Sequence, residues 1–133
     1  MKNVCLSIIL ISLVASCTKE KLDLTKAKTV VENLVNTTNK EDYKNISQYY
    51  TDALNEGEPE NVRIEKLQKL KLMLGNVESV TMVSTSDTLY NDQVALFLIY
   101  KIKHKKATST QQFTVIKEKG EYKIARQDIE SVN

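Results

Sequence analysis

Three tyrosines, Tyr43, Tyr50 and Tyr100, and two charged residues near the carboxyl end, Arg126 and Asp128, are the side chains best suited to chemistry on a small molecule. A phenol donates a hydrogen bond to a carbonyl or oxyanion, and a carboxylate in an apolar pocket takes a proton beside it. Tyrosines on apolar helix faces also serve as core residues with a wet hydroxyl. The five are therefore read as a candidate pocket that binds, with no catalytic residue assigned. His104, the single histidine, stands in the run Lys101-Ile102-Lys103-His104-Lys105-Lys106. It lacks a second histidine for a metal set and its neighbours are cationic, so it is expected on the surface of a turn. Asp52, Glu56, Glu58 and Glu60 gather around Gly57. Their spacing does not fit an EF-hand loop, and they read as a solvated helix connection. No phosphate loop, serine elbow or zinc motif is present, and neither a metal nor a cofactor is expected.

The elements that must position these residues change period at Gly75. Before it the apolar residues recur at helical spacing. Ala27, Val30, Val31, Leu34 and Val35 predict a first helix over 26–38 with Thr25 as N-cap. Tyr43, Ile46, Tyr49 and Tyr50 predict a second over 41–52. Val62, Leu67, Leu70 and Leu74 predict a third, opened by Pro59 and closed by Gly75. After Gly75 the pattern alternates, and strands are expected over 77–86, 90–104, 108–117 and 122–129. Ser86-Asp87-Thr88, His104 to Ala107 and Lys119-Gly120-Glu121 supply the joins. Joins this short require antiparallel neighbours, and helices followed by strands make an α+β fold. Val94 to Tyr100 is apolar at every position. It is either the central strand, shielded by its neighbours, or a strand whose far face awaits a second subunit, so a homodimer through the sheet is one expectation.

The amino end is a processing signal rather than a part of the fold. Lys2 supplies a positive start, and Val4 to Val14 is a mostly apolar run too short to span a bilayer comfortably. Val14-Ala15-Ser16-Cys17 then resembles a bacterial lipobox. The resemblance implies a signal peptide over 1–16, cleavage before Cys17, a thioether-linked diacylglycerol on that residue, and acylation of the new amine by a fatty acid such as palmitate. Thiolate nucleophilicity suits cysteine to the bond, and more than one chain is needed for a stable anchor. Residues 17–25 then form a lipidated cysteine and tether, and 26–133 the domain. The expected place is the bacterial cell envelope. Thr18, where inner-membrane retention calls for an aspartate, favours the outer membrane.

Removing Lys2 from the 19 basic residues leaves 18 against 17 acidic ones, so the processed chain is near neutrality and nucleic acid is not an expected partner. The only other cysteine, Cys5, falls in the signal, so no disulfide is expected. The basic run at 101–106 has two readings: a solvated edge that discourages strand pairing, or a contact for anionic headgroups.

"TNKEDYKNISQYYTDAL", Thr38 to Leu54, and "KGEYKIARQDIESV", Lys119 to Val132, resemble the nuclear-transport-factor-like, cystatin-like superfamily of α+β cones. The resemblance implies three helices packed on a curved four-stranded meander with an open mouth. Its enzymes, such as the ketosteroid isomerases, place an acid and a tyrosine in that mouth. Their catalytic residues do not map onto positions of this chain, so the expectation is a non-catalytic module. It would bind a small apolar ligand or another envelope protein, with an isomerase- or dehydratase-like enzyme as the alternative.

Overall fold

The computed structural model describes residues 20–133; Cys17 and the signal segment lie outside the described residues. The first helix, α1, runs Leu24–Asn39. Its cap is Asp23 rather than Thr25: the Asp23 carboxylate accepts the Thr25 N–H at 2.8 Å and the Lys26 N–H at 3.3 Å. A carboxylate is a stronger acceptor than a hydroxyl and also complements the positive helix end, so the start moves forward. The compact body begins earlier still. Glu20 pairs with Lys117 at 2.7 Å, Leu22 is buried, and the Asp23 N–H reaches the Tyr122 hydroxyl at 2.8 Å. The segment expected as a free tether is docked from residue 20 onward.

The expected second helix over 41–52 does not form as one piece. Glu41 and Asn45 adopt left-handed conformations, φ 57° and 63°, which interrupt the helical path. A short 3-10 helix, Ile46–Tyr49, buries Ile46, and a short helix, α2, runs Asp52–Gly57 with the Thr51 hydroxyl accepting the Leu54 N–H at 3.2 Å. The third helix, α3, runs Glu60–Leu74. Gly75 ends it at φ 85°, donating its N–H to Lys71 at 2.7 Å.

Four strands follow: β1 Val77–Tyr90, β2 Gln93–His104, β3 Thr108–Glu118 and β4 Glu121–Val132. They form one antiparallel sheet in the order β1-β2-β3-β4, the expected α+β meander. The first turn is Asn91-Asp92, not Ser86-Asp87-Thr88. Both turn residues have positive φ, 48° and 61°, the requirement of a two-residue hairpin, whereas 86–88 continue β1 in extended pairing with β2. Irregular registers near Val83 and Ala125 add local bends to the outer strands.

One sheet face carries the core. Leu96, Leu98, Tyr100 and Ile102 of β2, Phe113 and Val115 of β3 and Ile124 of β4 pack against Ala27, Val31 and Leu34 of α1 and against Ile46. Each Leu, Ile, Val or Phe so buried contributes about 1.5–3 kcal/mol. The opposite face has no second layer among the described residues. There Ala95, Ile116 and Ala125 bury one another beside Tyr90, while Phe97 and Ile99 stay half-buried. The doubly apolar strand is thus an inner strand shielded largely by its neighbours.

A candidate groove beneath the third helix

Helix α3 is bonded mainly near its ends, while Ile64 and Leu67 pack against the core only partly buried. Of its fifteen residues only Arg63 and Leu74 are buried. Near the first end, Arg63 donates to Asn55 Oδ1 at 2.6 Å and to the Leu54 carbonyl at 3.1 Å, pairs with Glu58 at 3.4 Å, and lies 4.0 Å over the Tyr50 ring. The planar fork fits three acceptors and one aromatic face at once. At the far end, the Lys106 N–H donates to the Leu74 carbonyl at 2.9 Å and the Lys105 N–H to the Asn76 carbonyl at 2.8 Å.

Between these attachments the sheet and the helix do not close. A recess of about 50 Å³ opens on one side, walled by Leu34, Val35, Leu67, Leu70 and Ile102, with His104, Gln111 and Gln127 as its polar wall. A second, of about 270 Å³, opens on the other side between Tyr50, Leu54, Arg63 and Ile129. Both are bounded by Leu67, Leu70 and Gln127, so they adjoin on either side of these three side chains. The space under α1 is filled instead: Val31, Leu34, Tyr100 and Phe113 are essentially inaccessible. The domain is packed beneath α1 and recessed beneath α3.

The groove floor carries an ordered file of polar groups. The Tyr50 hydroxyl donates to Gln127 Oε1 at 3.0 Å, Gln127 Nε2 to Gln111 Oε1 at 3.2 Å, and Gln111 Nε2 to Ser109 Oγ at 3.1 Å. Ser109 meets His104 Nε2 at 3.1 Å, and His104 Nδ1 meets the Gly75 carbonyl at 3.3 Å. A carbonyl only accepts, so His104 carries its proton on Nδ1 and takes the Ser109 proton at Nε2. All five bonds then run in one direction, from Tyr50 to the glycine that ends α3. Burial holds the His104 imidazole below its usual range, against a smaller opposite effect of the Gly75 hydrogen bond. Burial also pushes the Tyr50 phenol up, partly offset by Arg63, so it stays a donor.

His104 is therefore not a surface residue: it is 8% exposed, and Ser109 beside it is 0% exposed. Its parity explains this. Leu96, Leu98, Tyr100, Ile102 and His104 share the inward face of β2, while Lys101 and Lys103 point outward. Of the five candidate pocket residues only Tyr50 lines the groove. Tyr100 lies in the core under α1, edge-on to Phe113 at 5.8 Å, with its hydroxyl 3.4 Å from Glu32. Tyr43 sits half-buried between α1 and the 3-10 helix, and its hydroxyl has no partner among the described residues. Arg126 and Asp128 pair with each other at 2.7 Å on the opposite sheet face. They stand across from Thr114 and Gln112, whereas Gln111 and Phe113 face inward. Arg63, Gln111 and Gln127, which complete the lining, and Ser109, buried behind it, were not among the candidates.

No Asp or Glu among the described residues is buried; Glu58 lines the larger recess with Tyr50, half-buried and paired with Arg63 and Lys66. The acidic residues around Gly57 are dispersed: Asp52 pairs with Lys119, Glu58 with Arg63 and Lys66, and Glu60 accepts the Ser47 hydroxyl. No group of potential metal ligands occurs among the described residues. The basic turn at Lys105 and Lys106 lies at the end of the sheet opposite Glu20. β3 leaves that turn at Thr108 and reaches Glu20's partner Lys117 nine residues later, a separation of about 30 Å. No helix of the described residues is long and apolar enough to cross a membrane.

No family model matches the chain, and no curated protein is similar to it in sequence. Its fold is similar to the solved structure of Bd1075 from Bdellovibrio bacteriovorus, with a TM-score of 0.53 at 16% identity. The likeness covers 79% of this chain and 39% of that one, so this chain spans well under half of Bd1075. It bears on the α+β fold alone.

Proposed function

We propose that the protein is a lipid-anchored component of the bacterial cell envelope whose domain holds a small, elongated, mostly apolar molecule in the groove beneath α3. The observation that carries the reading is the groove itself. It is a pair of adjoining recesses, apolar at Leu34, Leu67, Leu70 and Ile102 and polar at Gln111, Gln127, Glu58 and Arg63, beside a helix with only two buried residues. That is the usual make-up of a small-ligand site, with each recess below the size that takes a drug-sized molecule. Leu67, Leu70 and Ile129 would supply apolar contact, and the second N–H of Gln127 or Gln111 would meet an oxygen of the ligand.

The anchor follows from the lipobox-like segment and is consistent with the docking of residue 20. Cys17 precedes Glu20 by three residues, at most about 11 Å of chain. The lipid would therefore hold the end of the sheet that carries the Asn91-Asp92 and Lys119-Gly120 turns. The basic turn would stand away from the headgroups, which favours its reading as a solvated edge. Outer-membrane placement remains part of the proposal.

Two measurements test the two halves. Mass spectrometry of envelope-purified protein should show Cys17 as the modified amino terminus; an unmodified start elsewhere overturns the anchor. Fluorescence titration of a chain beginning at Thr18 with 1-N-phenylnaphthylamine, a slender apolar probe, should show saturable binding that Leu70→Trp abolishes by filling the groove. No saturable binding, or binding that Leu70→Trp leaves unchanged, overturns the groove.

A further inference from the structure

Strand β1 leaves a long edge with nothing on it. It is an outer strand, and its outer row of N–H and C=O groups from Val83 to Leu89 has no partner among the described residues. Ser84 to Leu89 are exposed on both faces, unlike Val77, Val80 and Met82, which pack against the core. Natural edges are usually blunted by lysine, proline or a charge every few residues. This stretch, Val83-Ser84-Thr85-Ser86-Asp87-Thr88-Leu89, has no lysine, no proline, no glycine and one charge. The irregularity near Val83 sits at one end of it and leaves the rest regular.

The stretch is complementary to itself. Val83 and Leu89, 59% and 58% exposed, are its only large apolar residues. They lie equally far, three residues, on either side of Ser86. An antiparallel two-fold axis through Ser86 brings Val83 of each copy beside Leu89 of the other. It sets Ser84 against Thr88 and Thr85 against Asp87. Apolar pairs and hydroxyl pairs are favourable opposite each other, and no like charges face directly. No element among the described residues covers this edge on either face, since residues 83–89 are all exposed.

We infer that the β1 edge is the site of association with a second copy of this chain, joined antiparallel about Ser86 into a continuous eight-stranded sheet. The surface is an edge rather than the doubly apolar face of β2, and it is independent of the groove. An edge of seven residues buries far less than a standard stable interface, so the affinity is modest.

Cysteine cross-linking reads the register directly. Residues opposite each other in an antiparallel pair have Cα atoms about 4.5–5.5 Å apart, within disulfide reach. Ser86→Cys, Ser84→Cys and Thr88→Cys would be made singly in the full chain and oxidised in cells with copper-phenanthroline. The unsubstituted chain gives the background from Cys5 and Cys17. Ser86→Cys should form a covalent dimer. Ser84→Cys and Thr88→Cys alone should not, since each stands roughly 14 Å from its own copy, but the two co-expressed should form a mixed dimer. Adding Leu89→Lys to Ser86→Cys should lower the dimer yield severalfold. Absence of a Ser86→Cys dimer above background, equal dimer from Ser84→Cys or Thr88→Cys alone, or a yield indifferent to Leu89→Lys would each overturn the inference.

Discussion

Replacing Ser109 with alanine removes one oxygen from the middle of the polar file and tests whether that file is ordered as described. Ser109 Oγ bridges His104 Nε2 and Gln111 Nε2, each at 3.1 Å, from a residue with no exposed surface. Ser109→Ala leaves one acceptor and one donor unpartnered. Each lost bond costs about 0.5–1.5 kcal/mol if water replaces it and about 1–3 kcal/mol if nothing does. The recess of about 50 Å³ that borders both partners is roomy and polar enough for a water, which selects the lower range. The expected loss is about 2 kcal/mol, read by urea unfolding followed by circular dichroism at pH 7.5. The pH profile supplies a second readout. His104 titrates below its unfolded value because burial disfavours the imidazolium. Its contribution is therefore full above about pH 6.5. It is lost below that, as the unfolded chain takes up a proton the folded one resists, at no more than about 1.4 kcal/mol per pH unit. In the native file, protonating His104 also forces the Ser109 hydroxyl to turn away from Nε2. Ser109→Ala abolishes that conflict, so its acid limb should be shallower than that of the native protein. A loss under about 0.5 kcal/mol together with an unchanged acid limb would refute the ordered file.

Other outcomes follow from the same geometry. Nitrogen-15 spectra of His104 at pH 7.5 should show the Nδ1-protonated tautomer, and an Nε2-protonated ring would reverse the assigned direction. Gly75→Ala should destabilise by about 1–3 kcal/mol, because φ 85°, ψ −175° is a region essentially reserved for glycine. The added Cβ would also meet Lys105 Cβ at 3.1 Å. Arg63→Lys keeps the charge but loses the fork, and hydrogen exchange should speed up across α3 while the amides of β2 and β3 keep their protection.

The α+β order, the end of α3 at Gly75 and the inner position of β2 were legible because each leaves a local mark: a change of period, a glycine, or an unbroken apolar run. The split of the expected second helix was not. Its causes are the left-handed Glu41 and Asn45, and Asn tolerates that conformation without demanding it. The Asn91-Asp92 turn was missed for a related reason: Ser86-Asp87-Thr88 is equally turn-like in composition, and pairing with Ala95, Leu96 and Phe97 decides for strand. His104 could have been placed. Two-residue parity from Leu96 puts it on the core face, but the lysines around it outweighed that signal. The rest of the groove could not. Gln111 and Gln127 come together only through the β3–β4 register, which sets Phe113 opposite Gln127. Arg126 and Asp128 went to the wrong side because the irregularity at Ala125 resets the alternation of β4, and one residue of slip exchanges the faces.

The polar file begins at Tyr50, which carries the Arg63 attachment of α3, and ends on the carbonyl of Gly75, where α3 stops. It works as a cord strung between the two ends of a bar. Because every bond in it points the same way, turning the Gln127 amide sets two carbonyl oxygens face to face at Gln111 and parts the cord there. The mountings of α3, the Arg63 fork at one end and the Lys105 and Lys106 N–H groups at the other, share no hydrogen bond with the cord, so severing it midway leaves both ends of the bar attached.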